Sequence, residues 1–158
     1  MIKVGLGVDI HSFEEGRRCI LGGVEIPHPV GLKGHSDADA LTHAVIDALL
    51  GAVGERDIGH FFPDDDAQWK NADSLHMLAI VQGVLEKKNA KIHNLDITVI
   101  AQTPKLAPYI SKMTEKLAQT LRIQNFQIAI KATSSEWMGF TGRKEGIVTL
   151  AVVCLECT

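Results

Sequence analysis

Ile147-Val148-Thr149-Leu150-Ala151-Val152-Val153-Cys154-Leu155 is the stretch that decides how the rest of the chain is arranged. Side chains alternate across a strand, so Ile147, Thr149, Ala151, Val153 and Leu155 point one way and Val148, Leu150, Val152 and Cys154 the other. Both sets are mainly apolar, and such a strand needs cover on both sides. Helices of the same chain can cover one face, and a sister subunit can cover the other. The other strand patterns are Lys3–Asp9, Leu95–Ala101 and Phe126–Ala132, with a short hairpin of Cys19–Leu21 and Val24–Ile26 around Gly22-Gly23.

Between the strands the hydrophobic period changes from two to that of a helix. Ser36 or Asp37 can cap a first helix whose apolar positions Leu41, Ala44, Val45, Ala48, Leu49 and Ala52 hold helical spacing up to Gly54. A long loop, Glu55–Ala72, is followed by a second helix from Asp73 or Ser74 to about Lys88, buried along Leu75, Leu78, Val81 and Leu85; a third helix spans Pro108–Leu121. Strands and helices mix without strict alternation. The reading is therefore an α+β fold, one domain over residues 1–158, with a mixed sheet, helices on one face and the other face buried against further copies of the chain.

Composition excludes several kinds of partner. Against 19 Asp+Glu stand 16 Lys+Arg, a net charge of -3 with no basic stripe, so nucleic acid is not expected. No apolar run approaches the length of a membrane span, and Met1-Ile2-Lys3-Val4 leads straight into a strand, so the chain is expected to begin here and to work in the cytoplasm. The 3 cysteines, Cys19, Cys154 and Cys157, are read as reduced thiols. Cys154-x-x-Cys157 ends a strand, which sends its two sulfurs to opposite faces, and is not read as a metal site.

Three segments carry chemistry. Asp9-x-His11 puts a carboxylate and an imidazole on one side of a strand end, and a third metal ligand can come from His35 or His43 where the first helix opens. Asp39 and Asp47 flank His43 at i−4 and i+4; either can reach its ring, with Asp47 the better candidate to hold it and Asp39 equally a helix-start residue on a solvated face. Lys131-Ala132-Thr133-Ser134-Ser135-Glu136 collects hydroxyls, a carboxylate and a cation after a strand, a set suited to phosphate oxygens and a hard divalent cation. Gly5-x-Gly7 lacks the rest of a dinucleotide fingerprint, since position 10 is Ile. His28, His60, His76 and His93 are read as ordinary surface or core histidines.

In order along the chain stand Gly5-x-Gly7-x-Asp9-x-His11; Gly34-His35-Ser36-Asp37-x-Asp39 through His43; Asp57-Ile58-Gly59-x-x-Phe62-Pro63-Asp64-x-Asp66; Ala101-x-x-Pro104-Lys105; and Lys131-Ala132-Thr133 through Glu136-x-x-Gly139-Phe140-x-Gly142-Arg143. Together these five resemble the ordered signature of the 2-C-methyl-D-erythritol 2,4-cyclodiphosphate synthase family of the non-mevalonate isoprenoid pathway. The resemblance spans residue 2 to about 152. It implies a bacterial, cytoplasmic, cyclising, CMP-releasing phosphorus–oxygen lyase that is a homotrimer with active sites between subunits. It implies zinc on Asp9, His11 and His43, which leaves His35 beside the reacting phosphates, and Mg²⁺ or Mn²⁺ on Glu136. His35, Ser134 and Glu136 are the implied catalytic residues.

The implied contacts to the cytidine diphosphate substrate are Asp9, His11, His35, Ser36, Asp57, Ile58, Gly59, Phe62, Pro63, Asp64, Asp65 and Asp66 on one side. On the other they are Ala101, Gln102, Thr103, Pro104, Lys105, Leu106, Ala107, Thr133, Ser134, Ser135, Glu136, Phe140 and Arg143. Two positions depart from the family's commonest pattern: Ser134 replaces a Thr but keeps a hydroxyl, and Leu150 replaces a Glu near the central cavity. Two other functions fit the same residues: a zinc hydrolase in which the Asp9, His11 and His43 set activates water, and a nucleotide-binding module without turnover.

Overall fold

The computed structural model describes residues 1–157. Its main sheet runs β4-β1-β7-β5-β6, built from β1 (Ile2–Glu14), β4 (Gly31–Leu32), β5 (Ala90–Ile100), β6 (Ile128–Thr133) and β7 (Gly146–Cys157). β7 pairs antiparallel with both β1 and β5, and β5 pairs parallel with β6, so the sheet is mixed as expected. β2 (Cys19–Leu21) and β3 (Val24–Ile26) form the separate hairpin. At its turn Gly22 and Gly23 take φ of 56° and 69°, the conformation that two-residue hairpins demand. The helices are α1 (Ala40–Ala52), α2 (Ile58–Phe61), α3 (Ser74–Lys87), α4 (Ile110–Leu121) and the single turn α5 (Gly139–Gly142).

β7 behaves as its alternation dictates. Ile147, Thr149, Ala151, Val153 and Leu155 are buried with the helices, while Val148, Leu150 and Cys154 look outward and are partly exposed, with Val152 exposed among them. β1 is divided in the same way. Gly5 and Gly7 face inward and are buried, whereas Ile2, Val4, Leu6, Val8 and Ile10 are all exposed on the outer face, 45–65% each. The core therefore lies on one side of the sheet only, between its inner face and α1, α3 and α4.

The close seat of α1 on β1 is set by the two glycines. A Cβ at Gly5 would stand 1.9 Å from the Ala48 carbonyl oxygen, and one at Gly7 would stand 1.9 Å from that of Ala44. Backbone thus meets backbone, and every larger side chain is excluded. Small residues on the helix, Ala44, Ala48 and Ala52, complete this contact.

Three local expectations are corrected. The cap of α1 is Asp39, whose carboxylate accepts from Thr42 N at 3.0 Å; Ser36 and Asp37 lie before it and have other partners. Asp39 is also no solvated residue. It is fully buried and accepts from Gly22 N at 2.9 Å and Gly23 N at 2.7 Å, so it welds the hairpin turn to the start of α1. The segment Glu55–Ala72 is not one loop: Asp57 caps α2, and a 3₁₀ turn forms at Ala67–Trp69 behind Asp66.

Candidate functional site

The second half of β1 carries Asp9 and His11 on the same inward face as Gly5 and Gly7, and α1, pressed against those glycines, delivers His43 one turn before Asp47. One ligand atom from each of Asp9, His11 and His43 lies within 4.8 Å of the others. Asp9 Oδ2 is 2.8 Å from His11 Nε2 and 3.3 Å from His43 Nδ1. Of the two histidines left open as the third partner, His43 joins the cluster. His35 stands in the wall beside it, with Nε2 3.2 Å from the Asp66 carbonyl.

The remaining ring nitrogens define which atoms face inward. His11 Nδ1 is 2.5 Å from the Lys33 carbonyl, which can only accept, so Nδ1 carries a proton. His43 Nε2 lies 2.9 Å from Ser74 Oγ and 3.2 Å from Ser36 Oγ. Asp9 Oδ2 is buried with no hydrogen-bond partner, although His11 Nε2 is so close. Neutral imidazole would leave lone pairs facing a carboxylate lone pair. A proton or a metal ion has to stand between them.

Burial alone would raise the Asp9 carboxyl, but the closeness and charge of His11 and His43 outweigh it and hold it at about 2. His11 is correspondingly raised: burial opposes its charge, and Asp9 more than compensates. Two imidazoles and one carboxylate of this kind suit a divalent metal with nitrogen and oxygen preference and leave a coordination position open.

A cavity of about 200 Å³ opens over the cluster. Of the residues expected to contact substrate, Asp9, His11, His35, Ser36, Ile58, Gly59, Phe62 and Asp64 line it. Asp57, Pro63, Asp65 and Asp66 do not; the Asp57 and Asp66 carboxylates cap α2 and the 3₁₀ turn. Trp69 and Met77 complete the wall, Trp69 standing edge-on to Phe62 at 4.8 Å. Spacing gave no sign of either: Trp69 follows closely on the expected segment, and Met77 arrives on α3. Asp47 is corrected here as well: it does not bond the His43 ring but accepts from Ile58 N at 2.7 Å, anchoring α2 at the cavity rim.

The other expected residues gather elsewhere on the same end of the sheet. Ala101 N donates to Thr133 O at 2.9 Å, and Trp137 N donates to Gln102 Oε1 at 3.2 Å, which joins Ala101–Ala107 to the turn after β6. In that turn Ser134 Oγ donates to Glu136 Oε1 at 3.2 Å, and Glu136 and Phe140 are exposed. Thr103 Oγ1 is 3.1 Å from His28 Nε2, Lys105 is exposed, and Leu106 is buried in the core. Arg143 pairs with Glu145 at 2.7 Å. Lys131, read as the cation of this group, is instead paired with Asp96 across the outer face of β5 and β6.

Register fixes how far apart the two groups are. Ile10 pairs with Val148, Val148 with Ile100, and Ile100 with Thr133. Three strand spacings, about 14 Å of backbone, therefore separate the end of β1 from the end of β6. None of Ala101–Ala107 or Thr133–Arg143 lines the cavity over Asp9, His11 and His43.

The sequence pattern of the YgbB family matches residues 2–156. The chain belongs to the YgbB family. It is 54% identical over 155 residues to the 2-C-methyl-D-erythritol 2,4-cyclodiphosphate synthase of Caldicellulosiruptor bescii, covering 98% of this chain and 99% of that one. Among solved structures of YgbB-like chains, the bifunctional IspDF of Campylobacter jejuni superposes with a TM-score of 0.91 at 42% identity; the match takes in all of this chain but only 43% of that longer protein. IspF of Plasmodium falciparum in complex with CDP superposes with a TM-score of 0.87 at 34% identity, over 99% of this chain and 97% of that one.

Proposed function

We propose that this YgbB-family chain, as one catalytic domain, converts 4-diphosphocytidyl-2-C-methyl-D-erythritol 2-phosphate into 2-C-methyl-D-erythritol 2,4-cyclodiphosphate and CMP. The observation that carries the reading is the convergence of Asp9, His11 and His43 on a buried, unpartnered carboxylate oxygen at the floor of a cavity, in a chain closely related to such synthases. In the reaction an oxygen of the 2-phosphate forms a bond to the β-phosphorus while the bond from that phosphorus to CMP breaks. The attacking phosphate is already an anion near neutral pH, so the chain need not remove a proton. Its work is to bring mutually repelling anions together and to offset their charge.

Asp9, His11 and His43 would hold zinc and Glu136 would hold Mg²⁺ or Mn²⁺, supplying the Lewis acidity that polarises phosphoryl oxygens. His35, in the cavity wall, and Ser134, beside Glu136, donate to oxygens on which charge grows. Ile58, Gly59, Phe62 and Asp64 enclose the methylerythritol part, with Ser36 behind it; Asp57, Pro63, Asp65 and Asp66 shape the segment that does so. Gln102, Thr103, Pro104 and Lys105, with the backbone of Ala101, Leu106 and Ala107, hold the cytidine and its phosphate. Thr133, Ser135, Phe140 and Arg143 border that group.

Because the two groups of residues stand apart in one chain, the complete site is read as one copy's cavity facing the cytidine segment of the next. The exposed apolar row Ile2, Val4, Leu6, Val8 and Ile10, beside Val148, Leu150 and Val152, is the surface that a cyclic homotrimer would bury. No helix among the described residues is long and apolar enough to cross a membrane; we place the enzyme in the cytoplasm of a bacterium.

The test is a cyclisation assay with the purified chain, zinc and Mg²⁺ or Mn²⁺. Release of CMP with a cyclic diphosphate is expected. Free phosphate or a linear product would instead identify a hydrolase, and binding of CMP without turnover would identify a nucleotide-binding module. Shared sites are tested by mixing His43→Ala with the double variant Pro104→Gly and Lys105→Ala. Activity of the mixture should exceed that of either alone, and verified mixed oligomers with no recovery would refute the arrangement.

A further inference from the structure

The partners of His43 on the side away from Asp9 form a directional chain that the proposed reaction does not use. Ser74, fully buried at the first position of α3, makes a short hydrogen bond from its hydroxyl to Asp37 Oδ1, and its backbone N–H donates to Asp37 Oδ2 at 3.0 Å. A carboxylate accepts only, so the single proton of Ser74 is committed to Asp37. Toward His43 Nε2, 2.9 Å away, Ser74 Oγ can then offer only a lone pair. For that bond to form His43 must supply the proton; Ser36 Oγ, 3.2 Å from the same nitrogen, is the longer contact and can accept from it as well. Its Nε2 is thereby protonated and its Nδ1, the atom nearest Asp9 Oδ2, is left as a lone pair.

We propose that Asp37 and Ser74 are positioning residues for His43: a carboxylate, acting through one hydroxyl, sets the ring's tautomer and orientation so that Nδ1 is presented to a metal ion. The proposal rests on the metal reading of Asp9, His11 and His43. Histidine ligands commonly give their second N–H directly to a carboxylate. In this chain the carboxylate is one hydroxyl removed. The same serine opens α3, so the tautomer of a residue on α1 is tied to the seating of a different helix.

Two readouts test this on the full-length chain. With zinc as the probe and chelator competition as the assay, Ser74→Ala should weaken binding by roughly tenfold to a hundredfold, the usual loss when a supporting partner of a ligating histidine is removed. Asp37→Asn keeps the shape but can turn an amide N–H toward Ser74, freeing the hydroxyl to donate to the ring; it should also weaken zinc binding. Because the two residues act in series, the double variant should bind no more weakly than Ser74→Ala. The second readout needs no metal. Nitrogen-15 NMR of the zinc-free chain should show His43 protonated at Nε2 in the parent and spread between tautomers in Ser74→Ala. Should that variant fail to fold, Asp37→Asn carries both measurements. Zinc affinity within twofold of the parent in a folded variant, an unchanged tautomer, or losses that multiply in the double variant would overturn the proposal, whatever the cyclisation assay returns.

Discussion

The two faces of β1 are made of the same 13 residues of backbone and share almost no chemistry. On the inner face Gly5, Gly7, Asp9 and His11 follow one another, two that admit a helix and two that meet its histidine. On the outer face Ile2, Val4, Leu6, Val8 and Ile10 stand in an exposed row that nothing among the described residues hides. The strand's period of two keeps these sets apart without any further device. A substitution on one face should therefore leave the function of the other intact.

The largest effect is expected from His43→Ala. Zinc affinity should fall by more than the roughly hundredfold that loss of a supporting partner can cost, and turnover should vanish, while light scattering still reports the parent's size. Retention of zinc would break the assignment of the inner face. Leu6→Asp makes the converse change. A charge in the middle of the apolar row should reduce the particle to a monomer and abolish turnover, yet leave about one zinc per chain. An unchanged oligomer would show that the outer face has another use.

Gly7→Ala asks how the faces are coupled through α1. Its Cβ cannot coexist with the Ala44 carbonyl, and the helix has to retreat. Overpacking of this kind costs about 1–3 kcal/mol or more, which lowers the melting temperature by roughly 3–10 °C in a chain of this size. Zinc binding should weaken in parallel, because His43 moves with the helix. A variant that melts lower but binds zinc like its parent would mean that the ligand set does not depend on this contact.

A pH series sharpens the inner face alone. Asp9 is ionised down to about 2 and His11 is raised above its ordinary value, so the proton that competes with a metal is the one on His11. Zinc affinity measured by chelator competition should fall as pH drops through the raised range of His11, because binding the ion releases that proton. The smallest expected change is that of Thr149→Val. The Thr149 hydroxyl is fully buried and has no partner among the described residues. Its replacement by a methyl group of like shape should gain about 1 kcal/mol, visible as a rise of roughly 2–4 °C in melting temperature. A loss would assign that hydroxyl a role.

Much of this arrangement could be read from one dimension. The alternation in Ile147–Leu155 predicts a strand that needs cover on both faces, of which the chain's own helices supply one, and the period of Leu41–Ala52 predicts the helix that does so. Asp9-x-His11 needed only the rule of alternation. What escaped depends on residues far apart in sequence. Asp39 became the cap of α1 because the hairpin turn at Gly22 and Gly23 donates to it. Ser36 and Asp37, sited where caps belong, are drawn to His43 and Ser74. Asp47 has helical spacing to His43, but α2 folds back and offers it an N–H first. Gly5 and Gly7, set aside when no dinucleotide fingerprint followed, turn out to be where α1 touches the sheet. The row of outward apolar residues in β1 is written as plainly as that in β7, and it extends beyond the span Lys3–Asp9 whose pattern predicts a strand.

The wall of the cavity also supplies an optical consequence. The chain has 2 tryptophans: Trp69 beside the Asp9, His11 and His43 cluster, with its indole nitrogen buried, and Trp137 at 67% exposure. Their emission should separate by environment, a bluer component from Trp69 and a redder one from Trp137 that a soluble quencher reaches first. With Trp137→Phe in place, the fluorescence that remains comes from the cavity itself, and the chain reports without any label when something enters it.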